Sequence, residues 1–139
     1  MAFFPLPGLN LKKGRFELDF SNNKSIFLQI ADSISEKIID GTYPPGSRIP
    51  SVREMASELG VNPNTIMRTF TELQSESIIE NKRGIGYFVT EEARELILAR
   101  KRKEFFELLL PELIRKADQI GISVTELNQH IKKLNNENQ

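Results

Sequence analysis

Apolar residues recur along this chain with two different periods, and the change from one to the other marks its organisation. Phe27, Ile30, Ala31, Ile34 and Ile38 return at helical spacing, with Asp32, Ser35 and Glu36 on the other side. Ser25 stands where a helix N-cap is expected, and Gly41 stops the pattern. TYPPGSRIP, residues 42–50, then reads as a rigid connector. A second helix opens at SVRE, Ser51 to Glu54, a capping box in which serine and glutamate satisfy each other's free backbone N–H. Val52, Met55, Ala56 and Leu59 form its apolar stripe, and Gly60 ends it. Its successor starts at once, with Asn62 as cap and Pro63 at the first helical position, where a missing N–H costs nothing. Two short helices around a tight glycine-containing turn make a helix-turn-helix candidate.

After Leu73 the period shortens. IIENKRGIGYFV, residues 78–89, predicts two short strands around a Lys82-Arg83-Gly84 turn, a hairpin placed where a wing would follow a helix-turn-helix. From Thr90 the chain turns helical again, with Pro111 expected to kink or divide the helix and Gly121 to end it. SVTE, residues 123–126, is a second capping box, opening a last helix with Val124, Leu127, Ile131 and Leu134 inward and a frayed NNENQ end. The predicted architecture is mainly α with a small β-hairpin wing. Residues 1–24 form an arm containing an alternating FELDF, 25–90 a winged helix-turn-helix, and 91–139 a helical dimerisation tail.

On a helical wheel of residues 63–75, Ile66, Phe70 and Leu73 fall together, and Asn64 and Arg68 fall nearly opposite. Asn64 and Thr65 occupy the first turn, the end that a recognition helix presents to the major groove. Arginine can grip a guanine edge through two bonds, asparagine can do the same with adenine, and the helix's first amides can meet a phosphate. Read one at a time, Asn64 is equally a local cap, Thr65 a matter of propensity and Arg68 a solvated charge. The turn before them and the wing after them favour DNA.

Charge complicates this picture. The chain carries 19 basic and 19 acidic residues, and the 25–90 segment has six basic against eight acidic. A polyanion binder is usually basic. The distribution resolves the conflict if Asp32, Glu36, Asp40, Glu72, Glu76 and Glu80 point away from the surface that carries Arg53, Arg68 and the wing tip. Weak non-specific binding and a modest salt slope follow. With no cysteine, one histidine (His130), no metal-ligand spacing and no phosphate-cradling glycine loop, an enzyme or a cofactor is not expected. Apolar residues make up 39%, and no apolar run approaches the roughly 20 needed to span a bilayer. The N-terminus puts its apolar patch before its positive charges, the reverse of a secretory signal, so a cytoplasmic protein without a membrane partner is expected.

RIPSVREMASELGVNPNTIMRTFTELQSESIIENKRGIGYFV resembles the winged helix-turn-helix of the GntR family of bacterial transcription regulators. The form GVNPNT with a short helical tail is similar to its YtrA-like branch. The resemblance implies operator contacts from Arg48, from Arg53, from polar residues of the third helix and from the wing. The candidate DNA-contacting set is therefore Arg48, Ser51, Arg53, Asn62, Asn64, Thr65, Arg68, Lys82, Arg83 and Gly84. Pro63 stands where many members carry a basic residue, which shifts weight to Asn64 and Arg68.

The tail is too short to enclose a ligand chamber of roughly 300 Å³ by itself, and its apolar faces are too wide for a lone hairpin in water. It is expected to pair with a second copy through Leu96, Phe105, Phe106, Leu109, Leu110, Leu113, Leu127 and Ile131. A small pocket for an unknown effector between subunits stays open. ARKRKEFF, residues 99–106, reads as a solvated helix side, with a DNA-backbone contact as the alternative. The expected function is a homodimeric regulator, a repressor binding a double-stranded, pseudo-palindromic operator. The rival is a winged-helix protein-interaction module, which the acidic balance favours.

Overall fold

The structure, a computed structural model, describes residues 24–138; the FELDF segment of the arm lies outside them. The chain divides into two compact units after Arg100. In the first, α1 (Ile26–Ile39), α2 (Val52–Leu59) and α3 (Pro63–Ser75) precede a hairpin of β1 (Ile79–Lys82) and β2 (Gly86–Val89), and α4 (Ala93–Glu104) begins. Burial follows the predicted apolar stripes: Ile30, Ile34, Met55, Ile66, Phe70 and Leu73 share one core with Ile79 and Val89 of the hairpin. Ser35, expected on the polar side of α1, is instead completely buried, its hydroxyl donating to Ala31 O.

The helix boundaries are set by local chemistry. Ser25 caps α1 with its backbone only: its carbonyl accepts from Gln29 N–H at 3.1 Å, and its side chain makes no cap bond. Of the two expected capping boxes only the serine halves form, Ser51 Oγ accepting from Glu54 N–H and Ser123 Oγ from Glu126 N–H, each at 3.1 Å; among the described residues the glutamates return no bond. Gly60 sits at φ +66°, a left-handed turn that an L side chain resists, and lets Val61 N–H fold back onto Ala56 O at 3.1 Å. Asn62 Oδ1 then accepts from Asn64 N–H at 2.8 Å, so α3 starts three residues after Gly60, the cap of α2.

The connector is more than a spacer. Gly46 N–H donates to Val89 O, Val89 N–H to Ser47 O and Ile49 N–H to Tyr87 O, all within 2.9–3.0 Å, and Arg48 lies opposite Phe88. A short extended piece thus adds to β2. Edge contact between Phe70 and Tyr87, with ring centres 4.7 Å apart, ties the hairpin to α3. Two turns of α4 belong to this unit: Ala93 and Ile97 are fully buried in its core. Arg100 closes it, paired with Glu76 at the end of α3 and 3.3 Å from Ser35 Oγ of α1.

In the second unit, one π-helical turn (Phe105–Leu109) leads into α5 (Leu110–Gln119), and α6 (Val124–Glu137) follows. The predicted break at Pro111 is absorbed by that turn. Proline crowds the carbonyl four residues back, and the wider π winding, with Leu110 N–H bonded to Phe105 O, gives it room. Two expectations need correction. The helix persists through Asn135 to Glu137, where fraying was expected. Val124, Ile131 and Leu134 are exposed, with Leu127 half-buried, because a short helical hairpin has too little surface to cover them.

Candidate nucleic-acid interface

The third helix presents the two faces expected of it. Ile66, Phe70 and Leu73 are 0% exposed, and Asn64, Arg68, Thr71 and Ser75 lie in solvent on the opposite side. Thr65 is half-buried, and its carbonyl accepts from Thr69 Oγ1 at 3.0 Å. Among the described residues, the Asn64 carboxamide and the Arg68 guanidinium make no hydrogen bond, so both keep their donors for an outside acceptor. Met67, exposed on the flank of the same face, went unnoticed in the sequence because a methionine there reads as core.

Ser51 and Asn62 each give a side-chain oxygen to a helix start; Asn62 is exposed and Ser51 half-buried. Arg53 is exposed one residue into α2, a position unfavourable to a cation beside the helix dipole and suited to meeting a phosphate.

The wing has an inner and an outer face, set by strand alternation. Ile79, Val89, Ile49 and Tyr87 face the core. Arg48, Phe88 and Glu80 stand in register on the outer face, with Gly86 and Lys82 beside them. Lys82 Nζ lies 4.4 Å from the centre of the Phe88 ring. Arg48 crosses Gly86 so closely that a Cβ there would stand 2.8 Å from its Nε. Arg83 and Gly84 form the exposed tip, where Ile85 N–H closes the turn onto Lys82 O at 2.9 Å. The structure therefore brings Arg48 and Lys82 onto one face, which the sequence did not reveal.

The acids segregate only in part: Glu72 follows Arg68 by one turn on the same stripe of α3, and Glu54 is exposed beside Arg53. Glu76 is taken up by Arg100, and Asp32 by Lys24. Glu80, expected to point away, shares the wing's outer face and lies 3.9 Å from Lys82 Nζ, because its register opposite Phe88 fixes its side. Deeper in the unit, burial beside Glu58 pushes the Tyr43 phenol up to about 12, and burial lowers the Lys37 ammonium below its usual value. Neither belongs to the exposed face. Among the described residues no cluster of His, Asp or Glu is arranged to hold a metal ion, and no helix is long and apolar enough to cross a membrane.

Comparison with known proteins identifies this arrangement. The model of the family described as bacterial regulatory proteins, gntR family, matches residues 27–89. The HTH-type transcriptional regulator YhcF of Bacillus subtilis (strain 168) is 36% identical over 113 residues, covering 81% of this chain and 92% of its own. The HTH-type transcriptional repressor YtrA of the same organism is 33% identical over 118 residues, 85% of this chain and 90% of that one. A solved GntR-family transcriptional regulator from Bacteroides thetaiotaomicron superposes with a TM-score of 0.70 at 38% identity, over 83% of this chain and 100% of the other.

Proposed function

The chain belongs to the GntR family of bacterial regulatory proteins, and from that premise we propose that two copies, joined through their tails, repress genes by gripping the halves of a pseudo-palindromic operator. It is a DNA-binding transcription regulator, as its relatives are named. In this reading α3 enters the major groove with Asn64, Thr65 and Arg68 toward base edges. Ser51, Arg53 and Asn62 meet phosphates at the two helix starts, and Arg48, Lys82, Arg83 and Gly84 hold the flanking backbone and minor groove. The carrying observation is the pair of side-chain donors on α3, Asn64 and Arg68, unengaged among the described residues and standing opposite a fully buried Ile66–Phe70–Leu73 stripe.

The exposed apolar face of the tail supports pairing. Phe105, Phe106, Leu109 and Leu113 are each about half or more exposed, and a trough of ≈ 510 Å³ runs along Lys101, Phe105, Leu108 and Leu109. Patches of this kind on a monomer are normally covered. Leu96 and Ile131 are exposed as well, and Leu110 is half-buried. No effector is part of this reading. Selection of binding sites from random duplexes should return inverted half-sites about 10 bp apart. Binding to them should fall modestly with salt; no salt-dependent duplex binding would leave a protein-docking module instead.

A further inference from the structure

The guanidinium of Arg68 is solvent-exposed, yet the structure gives it a seat. Its central carbon lies 4.0 Å from the centre of the Phe27 ring, in the first turn of α1. The backbone that carries this ring is tied to α3. The Phe27 carbonyl accepts from Thr69 Oγ1 at 2.9 Å, and Thr69 is completely buried on α3, next to Arg68 in sequence. A cation held against an aromatic face is bound through its flat surface, which leaves its N–H donors free along the edges. Among the described residues Arg68 makes no hydrogen bond or ion pair, so the ring orients the fork without occupying it.

We propose that Phe27 is a positioning residue for DNA recognition: its ring seats the Arg68 guanidinium and aims the fork at a base edge, and the Thr69 hydroxyl holds that seat in register with α3. The proposal rests on the reading of Arg68 as a DNA-contacting group. Leucine at position 27 would fill similar space without a ring face, and tyrosine would keep the face. Fixing a long side chain before binding reduces the ordering that binding must impose.

The test is a double-mutant cycle read as operator affinity by fluorescence anisotropy at one salt concentration. Phe27→Leu should weaken binding about two- to fivefold per subunit, the ratio expected of an exposed cation–ring contact, and about five- to thirtyfold over a two-fold dimer. Phe27→Tyr should bind as the parent does. In an Arg68→Ala background, Phe27→Leu should change nothing further. A Phe27 that serves only the fold would instead weaken binding by the same factor in both backgrounds, which overturns the proposal, as does parental affinity in Phe27→Leu. Should Arg68→Ala itself bind like the parent, the DNA role of Arg68 falls and the seat falls with it. A readout independent of variant folding is the Arg68 Nε–H proton resonance of the intact protein. Ring current should displace it from the free-arginine position, and a resonance at that position refutes the seat.

Discussion

Gly86 tests whether Arg48 is held on the wing as the structure has it. A Cβ added there would lie 2.8 Å from Arg48 Nε and 3.5 Å from Cζ, closer at Nε than real Cβ contacts come. Nε, Cζ and Nη2 all belong to the guanidinium, so it is the head group of Arg48 that would have to move away from position 86. Gly86 also has φ +143°, and forcing an alanine into so sparsely populated a conformation costs about 1–3 kcal/mol. Gly84→Ala separates the two effects: at φ +80° it carries left-handed strain of about 1–2 kcal/mol, but its Cβ would meet nothing within 4 Å. Both variants should melt several degrees lower, and only Gly86→Ala should also displace Arg48.

The loss in operator binding from Gly86→Ala should then equal that of Arg48→Ala. An exposed charged contact contributes up to about 1 kcal/mol per subunit, roughly fivefold, or near thirtyfold over a two-fold dimer. The assay is anisotropy across a salt series, well below each variant's melting temperature. The log–log salt slope should drop by about one for each phosphate contact removed. Adding Gly86→Ala to Arg48→Ala should bring no further loss. Parental affinity in Gly86→Ala, or full additivity in the double variant, would refute the placement of Arg48.

Arg68→Ala should weaken operator binding by about 1–3 kcal/mol per half-site, the discrimination of one bidentate base contact, with the melting temperature nearly unchanged; a gel-shift titration with parental affinity contradicts it. Truncation after Thr90 would strip Ala93 and Ile97 from the core, so the informative cut is after Glu104. That shortened chain should be folded by circular dichroism and monomeric by light scattering, and an intact dimer would show the pairing face lies elsewhere. Ser77 is a non-glycine residue at φ +61° just beyond α3. Ser77→Gly should therefore stabilise the protein by about 1 kcal/mol, and a melting temperature at or below the parent's would show the strain is already relieved.

How much of this was legible in the sequence depends on the range of each interaction. The start of α3 was readable because Asn62 and Pro63 act within one turn, and so was the wing turn around Gly84. The third partner of the wing was not. Nothing local in GSRI distinguishes a connector from a strand, and its pairing with β2 is a contact between distant stretches of chain. For the same reason the wheel placed Arg68 outward correctly but could not find Phe27 beneath it. Glu80 was misplaced because its side follows from strand register, which the hairpin pattern alone leaves undetermined by one residue. The π turn before Pro111 shows a further limit: proline announces a disturbance, and the surrounding helix decides whether that is a break or a widening.

The acidic balance of the winged unit bears on how its affinity must arise. Phosphate neutralisation supplies most of the binding strength of a strongly basic domain, and loosely held cations suffice for it. Here Asp32 and Glu76 are already paired within the unit, but Glu80 stays beside Lys82 on the outer face, so on the reading proposed above the general attraction for a duplex should be small. Binding energy must then come from a few aligned contacts, and alignment is what a flexible arginine lacks. Both key arginines are placed by packing: Arg68 by a ring, Arg48 by the absence of a side chain at Gly86. Among the described residues, neither seat uses up a hydrogen-bond donor. For a regulator this division favours discrimination, because a mismatched site offers little non-specific attraction to offset the fork contacts it fails to form.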